Sequence, residues 1–343
     1  MPMLSFLAKS LYHEILSLAV VVVLCTWLSA LAGALIAYCF QNDDPERSVG
    51  GFFRFCFPGI ILRHRSCRID VAYIGIFWLL APVLFAPVLF TNLLFATAAY
   101  KTLGRLFGTH AAQAQPLWMA GIIVGGAVVL YDFMTFYTHY LEHRVAAGWE
   151  IHKVHHSAEV LTPITNHRFH PLQEIFDNFG RVVPVGIVVG VACYLLALPL
   201  EDNCANVGRA YLILNTLSFY HLRHSHIALS YGRFEKYFLS PAQHHLHHSQ
   251  EPQHWDKNFG LLLSCWDRMF GTLIYARRGE RFRLGLPAVE QRQFDATWKL
   301  YVMPLVNLAR MATAGRRRAE ARAEGAMDLA DGNPMAPDSA AIG

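Results

Sequence analysis

The chain has 343 residues, 54% of them hydrophobic and 16% charged, with a formal net charge of +4. Soluble domains carry nearer ~25% charged residues, so this balance excludes an ordinary water-soluble fold and points to lipid as part of the solvent. The small positive charge is unevenly spread, and it bears on membrane orientation and not on nucleic acid.

Residues 15–40 contain no Lys, Arg, Asp or Glu, and about 20 apolar residues suffice to cross the hydrocarbon core. A first crossing is expected there. A signal peptide would show a shorter apolar stretch of ~7–15 residues and a small-residue cleavage site before a polar chain, which this segment does not. Further apolar segments run over 71–100, 116–141, 182–200 and, more weakly, 205–219. Pro82 and Pro87 interrupt the first of these, which predicts either one kinked crossing or a re-entrant hairpin. With the N-terminus outside, 25 of the 29 Lys and Arg residues fall on the cytoplasmic side, as the positive-inside rule requires. Segments 42–70, 142–181 and 220–343 are then cytoplasmic.

The expected fold is therefore all-α and polytopic, with about 4–5 spans and a cytosolic helical cap. Its expected parts are an N-terminal transmembrane region over 1–115, a catalytic domain over 116–275 and a C-terminal segment over 276–343. From about Gly315 an Ala/Glu/Arg-rich stretch predicts a short surface helix followed by a disordered tail. Seven cysteines show no Cys-x-x-Cys pair, so neither a disulfide framework nor a thiolate metal site is read.

Of 18 histidines, 15 fall between His139 and His254. His139 and His143 are four apart and share a helical face. His152, His155 and His156 follow an i, i+3, i+4 pattern, and His244, His247 and His248 repeat it. Neutral imidazole is a good ligand for first-row metals. Eight such ligands exceed one metal, since a zinc site takes three or four, so two metals sharing the cluster is the economical reading.

Asp132, Thr135, His139 and His143 lie on one helical stripe. An ionisable residue in a span is functional by default, and orienting a ligand imidazole is the role expected of Asp132; a helix–helix hydrogen bond is the structural alternative. Glu142 lies near the same face, but the Glu-x-x-His pairing of soluble di-iron bundles is missing, so it is not taken as a ligand.

The order His139-x3-His143, His152-x2-His155-His156 and, after a long spacer, His244-x2-His247-His248 resembles the fatty acid hydroxylase and sterol desaturase superfamily. Asp132-Phe133, Arg144, Trp149, Lys153, Ser157, Arg168-Phe169-His170-Pro171, Pro241, Ser249, Asn258-Phe259-Gly260 and Trp266 to Thr272 carry the likeness further, over roughly 116–275. The resemblance implies a cytosol-facing centre of two iron ions, with O2 as co-substrate and a sterol, fatty acyl chain, sphingoid base or ether or amino-acid lipid as substrate. It also implies a multi-pass membrane location. The short gap between the first two boxes favours the hydroxylase and sterol-oxidase side. His224, in Arg223-His224-Ser225, matches the family's His-Ser element and is expected as a ninth ligand, with His221 on the same face as a substitute. His170 matches the Arg-x-His-Pro element, as a ligand or a donor behind the ligands. His167, His226, His245 and His254 are expected outside the ligand set.

An unactivated C–H bond is too inert for any side chain, so the hard chemistry belongs to the metal and oxygen. The chain shows no haem, flavin or nicotinamide fingerprint, which implies a separate electron donor such as a ferredoxin, a cytochrome or a reductase. The rival reading is a non-enzymatic histidine-rich metal transporter or sensor, whose ligands would line a path through the bilayer. A zincin-type hydrolase is disfavoured, because His13-Glu14 is followed by Ile15-Leu16-Ser17 and not by a second histidine at the required spacing.

Overall fold

The computed structural model describes residues 23–41, 47–85 and 92–330. The start of the first expected crossing and Pro87 lie outside them. Among the described residues the chain is helical, with two isolated bridges, Phe238–Leu263 and Ser249–Leu284, and no strand. The helices are α1 (Val23–Phe40), α2 (Val49–Cys56), α3 (Gly59–Leu62), α4 (Arg65–Phe85), α5 (Asn92–Phe107), α6 (Leu117–Arg144) and α7 (Ala146–His156). They continue with α8 (Pro171–Leu195), α9 (Leu200–Leu217), α10 (Pro241–His247), α11 (Cys265–Phe270), α12 (Ala288–Gln291) and α13 (Thr297–Ala330).

Three described helices, α1, α6 and α8, are long and apolar enough to cross a membrane, which makes the protein an integral membrane protein. This is fewer than the expected 4–5. The apolar segment 71–100 is divided between α4 and α5. The segment 205–219 belongs to α9, whose Glu201, Asp202 and Arg209 keep it off the set of candidate spans. The span expected at 182–200 begins instead at Pro171, so Glu174, Asp177 and Arg181 sit inside a helix and not in a loop. At the C-terminus α13 is 34 residues long in all and continues through Gly315 to Ala330, so the short helix expected there is the end of a longer one.

The spanning helices leave apolar side chains such as Leu28, Ile122, Val129 and Val188 exposed for lipid. Their other faces pack on small residues. A Cβ on Gly186 or Gly190 of α8 would overlap the backbone of Asn92 or Ala96 on α5, so the two helices approach as closely as small-residue packing allows. Ala96, Ala127, Val185, Val189 and Cys193 form the core there. A second cluster, with Tyr73, Val154, Phe294 and Leu300, ties α4, α7 and α13 together, and the Tyr73 and Tyr301 rings stack at 4.4 Å. A third joins Ala34 and Ala37 of α1 to Leu222, Ile227 and Leu229.

Two corners aim the histidine-bearing segments. Pro116 starts α6, and Val145, extended at φ −100° and ψ 121°, ends it and opens α7 at once. A Cβ on Gly148 would lie 2.9 Å from Glu142 Cα, so only glycine lets α7 fold back under the end of α6. For α10, Ser240 and Gln243 make a reciprocal capping box and Pro241 fills the first turn, which fixes where that helix begins.

Candidate metal centre

All nine sequence-selected imidazoles converge, and they do so as two separate groups. His139, His143, His152, His156 and His247 form one; His155, His224, His244 and His248 form the other, with the nitrogens of each group within 4.8 Å of one another. Each three-histidine box serves both groups. An α-helix turns by about 100° per residue, so the i and i+4 members share a face while the i+3 member points aside. His152 and His156 accordingly enter the first group and His155 the second. His244 and His248 enter the second, and His247 returns to the first.

The ring nitrogens crowd in a way that hydrogen bonding does not explain. His139 Nε2 and His156 Nε2 each lie 3.1 Å from His152 Nε2. In the second group the contacts are His224–His155 at 2.8 Å, His244–His224 at 2.9 Å and His248–His244 at 3.2 Å, all between Nε2 atoms. His143 Nε2 and His247 Nε2 are buried without any partner. Nitrogens about 3 Å apart are what ligands at ~2.0–2.1 Å from a shared first-row metal ion produce, and a cation at the focus of each group would satisfy every inward-facing lone pair. The residues therefore fit two metals. Burial, and then the neighbouring imidazoles, hold His152, His155, His156, His224, His244, His247 and His248 well below the usual imidazole range. They are kept neutral, as ligands must be.

The two groups differ in their outer contacts. In the first, His139 Nδ1 donates to Phe259 O at 2.9 Å and His247 Nδ1 to Lys257 O at 2.7 Å. Glu142 Oε2 stands 2.9 Å from His152 Nδ1 and Asp256 Oδ1 3.4 Å from His143 Nδ1. Gln173 donates to Glu142 and lies 2.7 Å from the same His152 nitrogen. In the second group the Nδ1 atoms of His155, His224, His244 and His248 are buried and unpartnered. Phe169 stacks on His155 at 4.3 Å, and Phe259 packs edge-on against His139, His143 and His247.

Two sequence-based assignments are corrected. Asp132 touches no imidazole: its carboxylate accepts from Leu262 N at 2.8 Å, Leu263 N at 3.2 Å and Trp266 Nε1 at 2.8 Å. It is an anchor for the 258–272 segment, since the three donors that its carboxylate meets all come from there. His170 caps α8, its Nδ1 accepting from Leu172 N at 3.2 Å, while Nε2–H donates to Tyr301 O at 3.1 Å. Both ring nitrogens have backbone partners, and His170 stands outside both histidine groups. The groups take His224, and not His221. His226, His245 and His254 bond to Phe55 O, Leu222 O and Ser249 Oγ respectively, outside both groups.

Sequence reading missed Gln173 and Asp256, and it set Glu142 aside as a ligand without seeing its place behind His152. Glu142 was visible as a carboxylate one residue before His143, but nothing local distinguishes it from Asp132. Asp256 and Asn258 adopt φ of 57°, a left-handed kink that turns Lys257 O toward His247. Asp267 holds this loop by accepting from Phe259 N, Gly260 N and Thr272 Oγ1. Arg168, buried, ties Ser157 Oγ at 2.9 Å to Asp70 at 2.8 Å, locking the end of α7 to α4.

A cavity of about 70 Å³ borders both groups; His139, His152, His155 and His244 share its wall with Gln173, Asp177 and Arg181. A second recess, of about 260 Å³, is lined by His143, Trp149, His247, Trp255 and Asp256.

Comparison with known proteins agrees with this geometry. The fatty acid hydroxylase family model matches residues 124–272. The chain is 27% identical over 179 residues to ornithine lipid hydroxylase OlsE of Rhizobium tropici, covering 52% of this chain and 50% of that protein. It is 26% identical over 181 residues to alkylglycerol monooxygenase of Caenorhabditis elegans, covering 50% and 32%. With the Delta(7)-sterol 5(6)-desaturase erg3C of Aspergillus fumigatus it shares 31% over 151 residues, covering 41% and 45%. The matched stretches thus span half or less of these relatives' own length, and no solved structure matches the chain. The five histidines on one focus and the four on another all lie inside the stretch, residues 124–272, that matches the fatty acid hydroxylase family model.

Proposed function

We propose that this protein is a membrane-bound di-iron oxygenase that hydroxylates, or otherwise oxidises, a lipid drawn from the bilayer. The observation that carries the reading is the pair of adjacent, buried all-imidazole groups, five and four strong. Nine neutral nitrogen donors exceed what tetrahedral zinc uses and suit redox-active first-row metals. His139, His143, His152, His156 and His247 would hold one iron and His155, His224, His244 and His248 the other. When bound, iron would supply what side chains lack: one atom of O2 enters a C–H bond, the other leaves as water, and two electrons and two protons come from outside.

The protein's own part is placement. Glu142, Asp256 and the carbonyls of Phe259 and Lys257 hold the first-group rings in the Nδ1–H tautomer, leaving Nε2 free to ligate. Phe169 and Phe259 keep water from the centre. The substrate would reach the small cavity beside α8 from the lipid side, and electrons from a ferredoxin, a cytochrome or a reductase would arrive from the side of the Trp255 recess, which we assign to the cytoplasm. Metal analysis of freshly purified protein together with O2 uptake under a reductant tests the reading. Two irons per chain and lipid-dependent uptake are expected; a protein that holds only zinc in its active preparation, or none, overturns it.

A further inference from the structure

We propose that Arg181, with Asp177, is the subsite that binds a polar oxygen of the substrate, so that the oxidised carbon lies within a few bonds of the lipid's head group and not deep in its chain. Three observations lead there. Gln173, Asp177 and Arg181 recur at intervals of four on α8, one stripe of a helix otherwise apolar enough to cross a membrane. Ionisable groups in such a helix are costly, and they face a functional cavity by default. These three line the cavity of about 70 Å³ that the histidines of both groups also line.

The pairing between them is loose. Arg181 Nη1 stands 4.0 Å from Asp177 Oδ2, beyond hydrogen-bonding distance, and Arg181 Nε is buried with no acceptor. Arg168, by contrast, reaches its carboxylate at 2.8 Å. Arg168 also leaves its Nε without a partner, but both of its Nη atoms are taken up by Ser66, Asp70 and Ser157, whereas Arg181 stands off from its carboxylate. A guanidinium that lines a cavity and is held this loosely can receive an oxygen acceptor, and a carboxylate, phosphate or carbonyl fits its planar fork. The cavity has room for only a few water-sized groups. A whole head group does not fit beside the histidines, so the oxygen held by Arg181 and the carbon facing the metals belong to neighbouring parts of one molecule.

This inference rests on the oxygenase reading, and its test is separable from it. Binding of palmitate, hexadecanol and hexadecane to the full-length protein in one detergent would be followed by competition and thermal shift, with metal content measured on the same samples. These probes share a chain and differ at its end. Palmitate is expected to bind best and hexadecane worst. Arg181→Gln should weaken palmitate by about ten- to hundredfold, the range for a hydrogen bond to a charged group, while leaving hexadecane unchanged. Arg181→Lys keeps the charge but not the fork, should lose part of the preference, and serves if the Gln variant fails to fold. Equal affinity of the wild type for the three probes overturns the proposal. So does a palmitate advantage that survives in both variants, as it would if the carboxylate bound the metals directly. Metal-free wild-type preparations would count against the oxygenase reading alone.

Discussion

Glu142 Oε2 lies 2.9 Å from His152 Nδ1, both buried, and the carboxylate also receives the Gln173 amide. A carboxylate behind an imidazole raises its basicity and fixes its tautomer. Glu142→Gln keeps the size and removes the charge, so metal affinity or turnover should fall ~10–100-fold with little change in expression. Metal titration of the purified variant checks this, and full occupancy at wild-type affinity would show that the contact does not tune the site.

Asp132→Asn should behave differently, because the carboxylate holds Leu262 N, Leu263 N and Trp266 Nε1 and no ring. Losing one of those acceptors costs about 1–3 kcal/mol. The melting temperature should drop while a folded sample at low temperature retains its metal stoichiometry. Loss of metal from a sample that melts like wild type would return Asp132 to the role of orienting a ligand imidazole.

The two groups should release metal in order. The first has five imidazoles, four of them with an acceptor at Nδ1; the second has four with none. Graded chelation is expected to remove the second-group ion first, leaving an intermediate with half the metal. His247→Ala should abolish this order by weakening the first group, whereas His245→Ala, whose ring bonds Leu222 O outside both groups, should not. Simultaneous loss of both ions in the wild type would contradict the asymmetry.

Acid should destabilise the metal-free protein. Burial pushes the His245 imidazole down to about 4 from its ordinary 6.5, so between these values the unfolded chain binds a proton that the folded chain does not. Stability therefore falls as pH drops through that window, by about 1.4 kcal/mol per pH unit for one such group. The lowered second- and third-box histidines add to the slope. Melting curves of apo protein across the window should show the decline, and His245→Gln should make it shallower. A flat profile would mean that these rings are solvated.

Gly190→Ala would drive a methyl into the Ala96 carbonyl of α5. Overpacking of this kind costs about 1–3 kcal/mol, so the variant should melt lower, whereas Gly208→Ala, with open space around it, should not. Equal melting of the two would show that α5 and α8 separate easily.

The amino-acid sequence by itself determined the helical, membrane-embedded class, the family likeness and which nine histidines come together. Those signals are local: apolar runs, and imidazoles at helical spacing, whose faces follow from the turn per residue. The tertiary structure alone decided how the imidazoles divide, since His155 and His247 each cross to the group that their box neighbours do not form. It also decided which acidic groups serve the rings. Asp132 sits on the stripe of His139, yet its partners are some 130 positions away, and Glu142 reaches His152 only because Gly148 lets α7 fold back. The start of α8 was hidden for the same reason: Glu174, Asp177 and Arg181 break the apolar run that marks a span, and only the tertiary structure places Asp177 and Arg181 on a cavity shared with the histidines.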